Sequence, residues 1–443
     1  MDTIFALASA KGRSGVAVIR VSGPQALEGL KQLSGLKKLS PRRAVLRDLI
    51  DPVSRETIDR ALVLPFEAPH SYTGEDTAEY HVHGGLAVIN TMLETLGGLS
   101  DYRLAAPGEF TRRAFENGKM DLTEAEAIAD LINAETQMQK EQALAQMGGA
   151  LEALYTGWAD QLTKVLAHVE ADLEFPDEDL PDGILPQIMP DIKSLGEDIK
   201  AHLQDNHRGE RLRDGIKIAI IGAPNAGKSS LVNALTRRDV AIVSDLAGTT
   251  RDVIETHLDI AGYPVILSDT AGLRPEQLGD NAQDKIESEG IRRALNHART
   301  ADLKILLYDG TMEKPDAHTL ALEDESALPV ANKMDQTLNL KHPGQPIQIS
   351  AKTGTGIEKL IQAVAEKIEA IIGKNKAPAL TRQRHREALE HCAHALARAL
   401  EAPLPELVAE DLRLAIRDLG RITGRVDVED LLDVLFRDFC IGK

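Results

Sequence analysis

The spacing of apolar residues changes along the chain and marks out regions of different structure. Residues 1–118 carry short apolar runs broken by turns. Val16-Ala-Val-Ile-Arg-Val21 and Arg60-Ala-Leu-Val-Leu64 have strand length, and Gly, Pro and His gather around Gly74 and Gly84-Gly85. This pattern predicts a compact α+β domain. Over 119–212 the period lengthens: Leu122, Ala125, Ile128, Leu131 and Ile132 recur at helical spacing, and Val165, Val169 and Leu173 continue a buried stripe. Thr123 followed by Glu126 predicts a capping box, in which each side chain takes up a free N–H at the helix start. Two prolines and four acids in Phe175–Gly183 predict a solvated turn between helices.

Over 213–375, apolar runs of strand length alternate with helical segments: Ile216-Lys-Ile-Ala-Ile-Ile221, Val265-Ile-Leu267, Leu303-Lys-Ile-Leu-Leu307 and Ile347-Gln-Ile349. Alternation of this kind predicts a parallel sheet with crossover helices. Helical spacing returns over 376–443, at Leu389, Ala393, Leu396, Leu400, Leu412, Ile416 and Leu419. The simplest organisation is one all-α helical domain, 119–212 plus 376–443, interrupted by an inserted α/β domain. Insertion is tolerated where the two junctions lie close together.

Composition narrows the classes. The 443 residues are 43% hydrophobic and 27% charged, which suits a multidomain globular chain and not a disordered one. No apolar run reaches the ~20 residues of a membrane span. The start shows neither a secretory signal nor a transit peptide. Two cysteines, Cys392 and Cys440, cannot build a disulfide framework or a four-cysteine zinc site, so a reducing cytoplasm is expected. A net charge of −18 disfavours non-specific nucleic-acid binding.

The chemistry concentrates in the inserted domain. Gly222-Ala-Pro-Asn225-Ala226-Gly227-Lys228-Ser229 follows an apolar strand and precedes a helix start, the context of a phosphate-binding P-loop. Its N–H groups can wrap phosphates, Lys228 supplies a point charge, and Ser229, followed by Ser230, is placed to ligate Mg²⁺. Asp269-Thr270-Ala271-Gly272 also ends a strand. Asp269 can hold the Mg²⁺ shell, and the Gly272 amide can sense the outer phosphate. Asn332-Lys333-Met-Asp335 offers a carboxylate to the two donors of the guanine edge, which adenine lacks. Ser350-Ala351-Lys352 suits backbone contact to the base oxygen. Together the four motifs specify GTP. Between them, Gly248-Thr249-Thr250-Arg-Asp252 reads as a switch loop whose Thr250 meets Mg²⁺ and the γ-phosphate.

Leu273 follows the Asp-x-x-Gly motif where many GTPases carry a water-orienting glutamine. Something else must position the water. Arg274 is one candidate, although a neighbouring arginine is more often a surface group. Asn225 could instead ligate a monovalent cation, which would supply the charge of an arginine finger, or it could merely stabilise the loop.

Beyond these motifs, the chain contains Asp2-Thr-Ile4, Tyr72-Thr-Gly-Glu-Asp76, His83-Gly-Gly85, Ala106-Pro-Gly-Glu-Phe110 and a terminal Cys440-Ile-Gly-Lys443. Taken together from end to end, these residues resemble the tRNA-modification GTPase family MnmE (TrmE). The resemblance implies a homodimer joined through N-terminal domains. It also implies a flavoprotein partner, MnmG (GidA), which alone would hold FAD, and addition of a carboxymethylaminomethyl or aminomethyl group to the wobble uridine of tRNA. The one-carbon donor would be formyl- or methylene-tetrahydrofolate, with Arg20, Glu79, Lys119 and Lys443 at the matching folate positions. K⁺ activation would use Asn225, Ser244, Leu246 and Thr249, the middle of the three switch positions through its carbonyl. Nucleotide contacts would run through Ser244, Asp245, Leu246, Ala247, Gly248, Thr249 and Thr250. A switch glutamate would orient the water. Glu287 matches it, with Glu289 as the alternative because Pro275–Lys285 is longer than the family leads one to expect. Cys440 occupies the position of the family's functional cysteine. Since the chain is acidic, the flavoprotein is expected to carry much of the tRNA affinity. A regulatory GTP switch of the ribosome-assembly type, without a modification role, is the alternative.

Overall fold

Period-two alternation in the first hundred residues builds a mostly antiparallel sheet. In a computed structural model, which describes residues 2–10, 12–174, 184–238, 255–268, 299–373, 378–426, 432, 435–437, 439 and 442, its strands are β1 (Thr3–Leu7), β2 (Ser14–Ser22), β3 (Val45–Ile50), β4 (Thr57–Phe66), β5 (Thr77–Gly84) and β6 (Tyr102–Leu104). Their order is β3-β4-β5-β2-β1-β6, antiparallel except for the parallel pair β1/β6. Ile19 and Val21 of β2 and Ala78, Tyr80 and Val82 of β5 are buried with Leu30, Leu33, Met92 and Leu96 from helices Ala26–Ser34 and Leu86–Gly97. The alternate positions leave a polar row on the other face, where Arg20 lies opposite Glu79 in register.

Helical periodicity is realised as Leu122–Asn133, Gln137–Met147, Ala150–Glu174, Ile184–Leu203, Gln383–Glu401 and Pro405–Thr423. The capping box at the first of these sits two residues earlier than the sequence predicts. The Glu124 N–H donates to Asp121 Oδ1 (2.7 Å) and the Asp121 N–H donates to Glu124 Oε2 (3.0 Å). An aspartate caps as well as a hydroxyl, and Thr123 and Glu126, fully buried, belong to the helix body. Ile132, expected on the buried stripe, is 40% exposed, one residue before the helix ends. The turn expected over 175–183 lies outside the described residues. No described helix is long and apolar enough to cross a membrane.

The chain divides into two compact units. One comprises Met1–Ala129, Met147–Leu185 and Ala402–Lys443; the other comprises Asp130–Gln146 and Pro186–Glu401. Helices Ala150–Glu174 and Pro405–Thr423 pack together in the first. The second holds β7 (Ile216–Ile221), β8 (Glu255–Ile260), β9 (Tyr263–Ser268), β10 (Leu303–Asp309), β11 (Ala327–Asn332) and β12 (Ile347–Gln348). Their order is β12-β11-β10-β7-β9-β8, parallel throughout except for β8 against β9. Ile218, Ile305, Leu307 and Val330 form a core with Leu231 and Leu235 of helix Lys228–Thr236 and with Leu360, Val364 and Ile368 of helix Ile357–Ile372. Strands buried on both faces explain the near-continuous apolar runs in the sequence.

The chain enters this sheet through helix Arg208–Asp214 and leaves it past Leu380 and Thr381, and the two paths touch. A Cβ on Gly209 would stand 2.2 Å from the Leu380 carbonyl oxygen. Arg213 Nη1 donates to the Thr381 carbonyl (2.9 Å), and Arg211 Nε pairs with Asp302 (2.7 Å).

Candidate functional site

Parallel strands direct their carboxyl ends to one edge of the sheet, where ligands bind in open α/β folds. At the end of β7 the chain turns through Gly222–Gly227 into helix Lys228–Thr236. Both ends of that turn require glycine. A Cβ on Gly222 would lie 2.3 Å from the Leu307 carbonyl oxygen, and one on Gly227, whose φ is +101°, would lie 2.3 Å from Asn332 Nδ2. Asn225 adopts φ +65°, a left-handed conformation that asparagine tolerates better than most residues. The Lys228 ammonium donates to the carbonyls of Gly222 (2.8 Å) and Ala223 (3.2 Å).

Asn332, at the end of β11, joins two loops. It is 3% exposed. Its Nδ2 donates to the Ala226 carbonyl (2.8 Å), and its Oδ1 accepts from the Ala351 N–H (2.9 Å). The phosphate loop and the turn after β12 are therefore held by one carboxamide. In that turn Ser350 Oγ donates to Asp335 Oδ1 (2.7 Å) and accepts from the Thr353 N–H (3.2 Å). The Ser350 hydroxyl holds the exposed Asp335 carboxyl below its ordinary range, helped by Lys352 and Lys333. Asp335 thus stays ionised, an acceptor only, as the guanine edge requires. The Ala351 N–H of this turn is engaged by Asn332.

These groups line a cavity of 680 Å³. Asn225, Gly227, Lys228, Ser229, Ser230, Asn332, Lys333, Asp335, Ala351 and Lys352, all expected from the sequence, line its walls. Ala226 is buried and contributes its carbonyl to Asn332; Ser350 acts through Asp335. Ser229 and Asn225 present the hard oxygen donors that Mg²⁺ and K⁺ prefer. The other expected ligands, Ser244–Thr250 and Asp269–Gly272, lie outside the described residues, as do Glu287, Glu289, Cys440 and Lys443. Sequence motifs do not point to Asn233, Ala234, Arg237 and Gln336, which also line the cavity. Nor do they point to Asp309, whose only signal is its place at the end of β10. Asp309 takes the Lys333 ammonium at 2.6 Å. Burial alone would raise its carboxyl, but Lys333 and Thr311 outweigh it and lower it.

The first unit holds a second polar site. Arg20 and Glu79, partners across β2 and β5, pair at 2.9 Å with both side chains less than a fifth exposed. The Arg20 guanidinium lies 5.2 Å from the centre of the Tyr72 ring and 5.9 Å from that of Phe110. Beside the pair, the buried His81 Nε2 has no hydrogen-bond partner and stands 3.4 Å from Glu79 Oε2. Lys119 reaches the same Tyr72–Gly74 segment. Its Nζ donates to the Pro69 carbonyl (2.9 Å), and a Cβ on Gly74 would come within 3.2 Å of its Cδ. Of the four expected folate positions, Arg20 and Lys119 thus border one stretch of chain, and Glu79 pairs with Arg20.

Comparison with known proteins identifies the family. A family model described as the MnmE helical domain matches residues 122–440, and one described as the GTP-binding protein TrmE N-terminus matches residues 3–119. The tRNA modification GTPase MnmE of Parvibaculum lavamentivorans is 54% identical over 449 residues, covering 100% of both chains. That of Rhodospirillum rubrum is 50% identical over 460 residues, again covering 100% of both. Among solved structures, the G domain of the T. maritima FeoB iron transporter covers 36% of this chain and 99% of its own, with 27% identity and a TM-score of 0.24. With relatives matching along its whole length, the chain belongs to the MnmE (TrmE) family of tRNA modification GTPases.

Proposed function

We propose that this chain is a Mg²⁺-dependent, K⁺-activated GTP hydrolase of tRNA wobble-uridine modification, working as a homodimer with the flavoprotein MnmG. The observation that carries the GTPase reading is the shared cavity wall: Lys228 and Ser229 at one part, Asp335 and Lys352 at another, with Asn332 bonded to both loops. Backbone N–H groups at the start of helix Lys228–Thr236 hold the phosphates. Lys228 exchanges two carbonyl partners for the outer phosphates. Asp335 accepts from the guanine edge while Ser350 fixes its rotamer. Mg²⁺ on Ser229 and Thr250, and K⁺ on Asn225 with Ser244, Leu246 and Thr249, would neutralise charge growing on the leaving oxygens. Glu287 orients the water.

The same proposal assigns the Arg20–Glu79 site to a tetrahydrofolate one-carbon donor. Glu79 suits the amino edge of a pterin, the orphaned His81 nitrogen offers a further polar contact, and the cations suit the folate carboxylates. Hydrolysis supplies shape change and not a phosphoryl donor, since uridine alkylation at carbon needs none. The test is hydrolysis by the purified chain with GTP or ATP in K⁺ or Na⁺, paired with wobble-nucleoside analysis of tRNA from cells lacking it. Turnover should require GTP and rise with K⁺, and the modified nucleoside should disappear. Equal rates in Na⁺ would remove the cation role, and unchanged nucleosides would remove the modification role.

A further inference from the structure

Arg237 lines the nucleotide cavity, yet no nucleotide motif includes it. It directly follows helix Lys228–Thr236, and its N–H closes onto the Asn233 carbonyl (3.1 Å). Ser229, Ser230, Asn233, Ala234 and Arg237 share the cavity wall. Their spacing sets them along one face of the helix. The phosphate-gripping residues stand at its N-terminal end. At the α-helical rise, Arg237 is about 13 Å farther along that face than Lys228.

The neighbouring residue fixes what lies at this far end. Arg238 Nη1 pairs with Glu358 Oε2 (2.5 Å), and its Nη2 donates to the Gly354 carbonyl (3.4 Å). The end of the helix is thereby tied to the Ser350–Gly356 turn, the same turn that places Lys352 in the cavity wall. Arg238 is fully engaged in this anchoring. Arg237 is exposed and, among the described residues, its side chain makes no hydrogen bond or ion pair. An unengaged Arg237 therefore lines the same cavity as Asp335, Gln336 and Lys352, with the helix end beside it bound to the turn that carries Lys352.

We propose that Arg237 is a nucleotide-binding residue that lays its planar guanidinium on the face of the guanine ring, while Asp335 reads the edge. A guanidinium stacks on an aromatic face in a way that an ammonium does not. Because the contact is to the base, it strengthens binding by a constant factor whatever the number of phosphates. The proposal rests on the GTP-binding reading above. The ordinary alternative is a cation that complements the carbonyl end of the helix dipole.

The test measures affinities of the full chain for GMP, GDP and a non-hydrolysable GTP analogue, by competition with a fluorescent guanine nucleotide. The chains compared are wild type, Arg237→Ala and Arg237→Lys. Arg237→Ala should weaken all three nucleotides by the same factor, about three- to fivefold, and Arg237→Lys should stay close to Arg237→Ala, with melting temperatures unchanged. Unchanged affinity in Arg237→Ala overturns the proposal. A loss that grows with phosphate number overturns it in favour of a phosphate contact. A lowered melting temperature in Arg237→Ala, fully restored by lysine together with affinity, overturns it in favour of the helix-dipole role. A wild-type chain that binds none of the three removes the GTP reading itself, and the proposal with it.

Discussion

Replacing Asn332 with alanine tests whether one carboxamide holds the nucleotide site together. The change deletes two hydrogen bonds, to the Ala226 carbonyl and from the Ala351 N–H, at a position 3% exposed. Each backbone group left unpaired costs about 1–3 kcal/mol, less if water reaches it. With water entering the cavity, the lower end applies to both, giving about 2 kcal/mol for ordering the two loops before nucleotide can bind. At about 1.4 kcal/mol per decade this is roughly a 30-fold loss of guanine-nucleotide affinity. Asn332→Asp should be worse. It keeps the acceptor for Ala351 but sets a carboxylate oxygen against the Ala226 carbonyl. The assay is equilibrium binding of a fluorescent GDP analogue, with hydrogen exchange of the Ala351 amide as the local readout. If Asn332→Ala binds GDP within about threefold of wild type, or if Ala351 stays as protected as before, the carboxamide does not couple the loops.

Three further outcomes are expected. Gly227→Ala meets both a positive φ and a contact of 2.3 Å with an anchored side-chain nitrogen, so nucleotide affinity should collapse while the far-ultraviolet circular dichroism stays native; retained binding would refute the glycine argument. Burial, with Glu124 and Glu152 adding to it, pushes the Asp121 carboxyl up to about 6 against the two hydrogen bonds that favour its ion. A folded pKa above the unfolded value of about 4 means proton uptake on folding, so stability rises as pH falls from 7 towards 4. Asp121→Asn keeps an acceptor at the cap and should therefore raise the melting temperature near pH 8 but not near pH 4.5; equal shifts at both would show that the buried charge is not the cause. Glu79→Gln breaks a charge-assisted pair worth about 1.5–3 kcal/mol, and binding of 5-formyltetrahydrofolate measured by calorimetry should weaken at least tenfold, with unchanged binding ruling out Glu79 as a folate contact.

The nucleotide site was legible because its chemistry demands particular residues at strand ends. Ile216–Ile221 reads as a strand and is one, and the loop after it can hardly be built without Gly222 and Gly227. Other elements left weaker marks. β5 alternates Ala78, Tyr80 and Val82 with Glu79, His81 and His83, a period-two pattern masked by the glycines and histidines around it. Asp309 supports Lys333 from a neighbouring strand, a relation set by sheet order that no linear spacing encodes. The cap at Asp121 was misplaced because three oxygen-bearing residues, Asp121, Thr123 and Glu124, crowd the helix start. Only the backbone geometry decides which of them accepts the N–H bonds.

A polypeptide that departs from a scaffold and returns to almost the same spot makes a handle, not a bridge. The meeting of Gly209 with Leu380 and of Arg213 with Thr381 gives the intervening 160-odd amino acids such an attachment. Closing a detour of that length adds little entropy beyond that of a short one, because the penalty grows only with the logarithm of length. The host architecture therefore need not stretch to accommodate whatever volume hangs from this clasp, and any residue bulkier than glycine at 209 would push the Leu380 carbonyl away and loosen it.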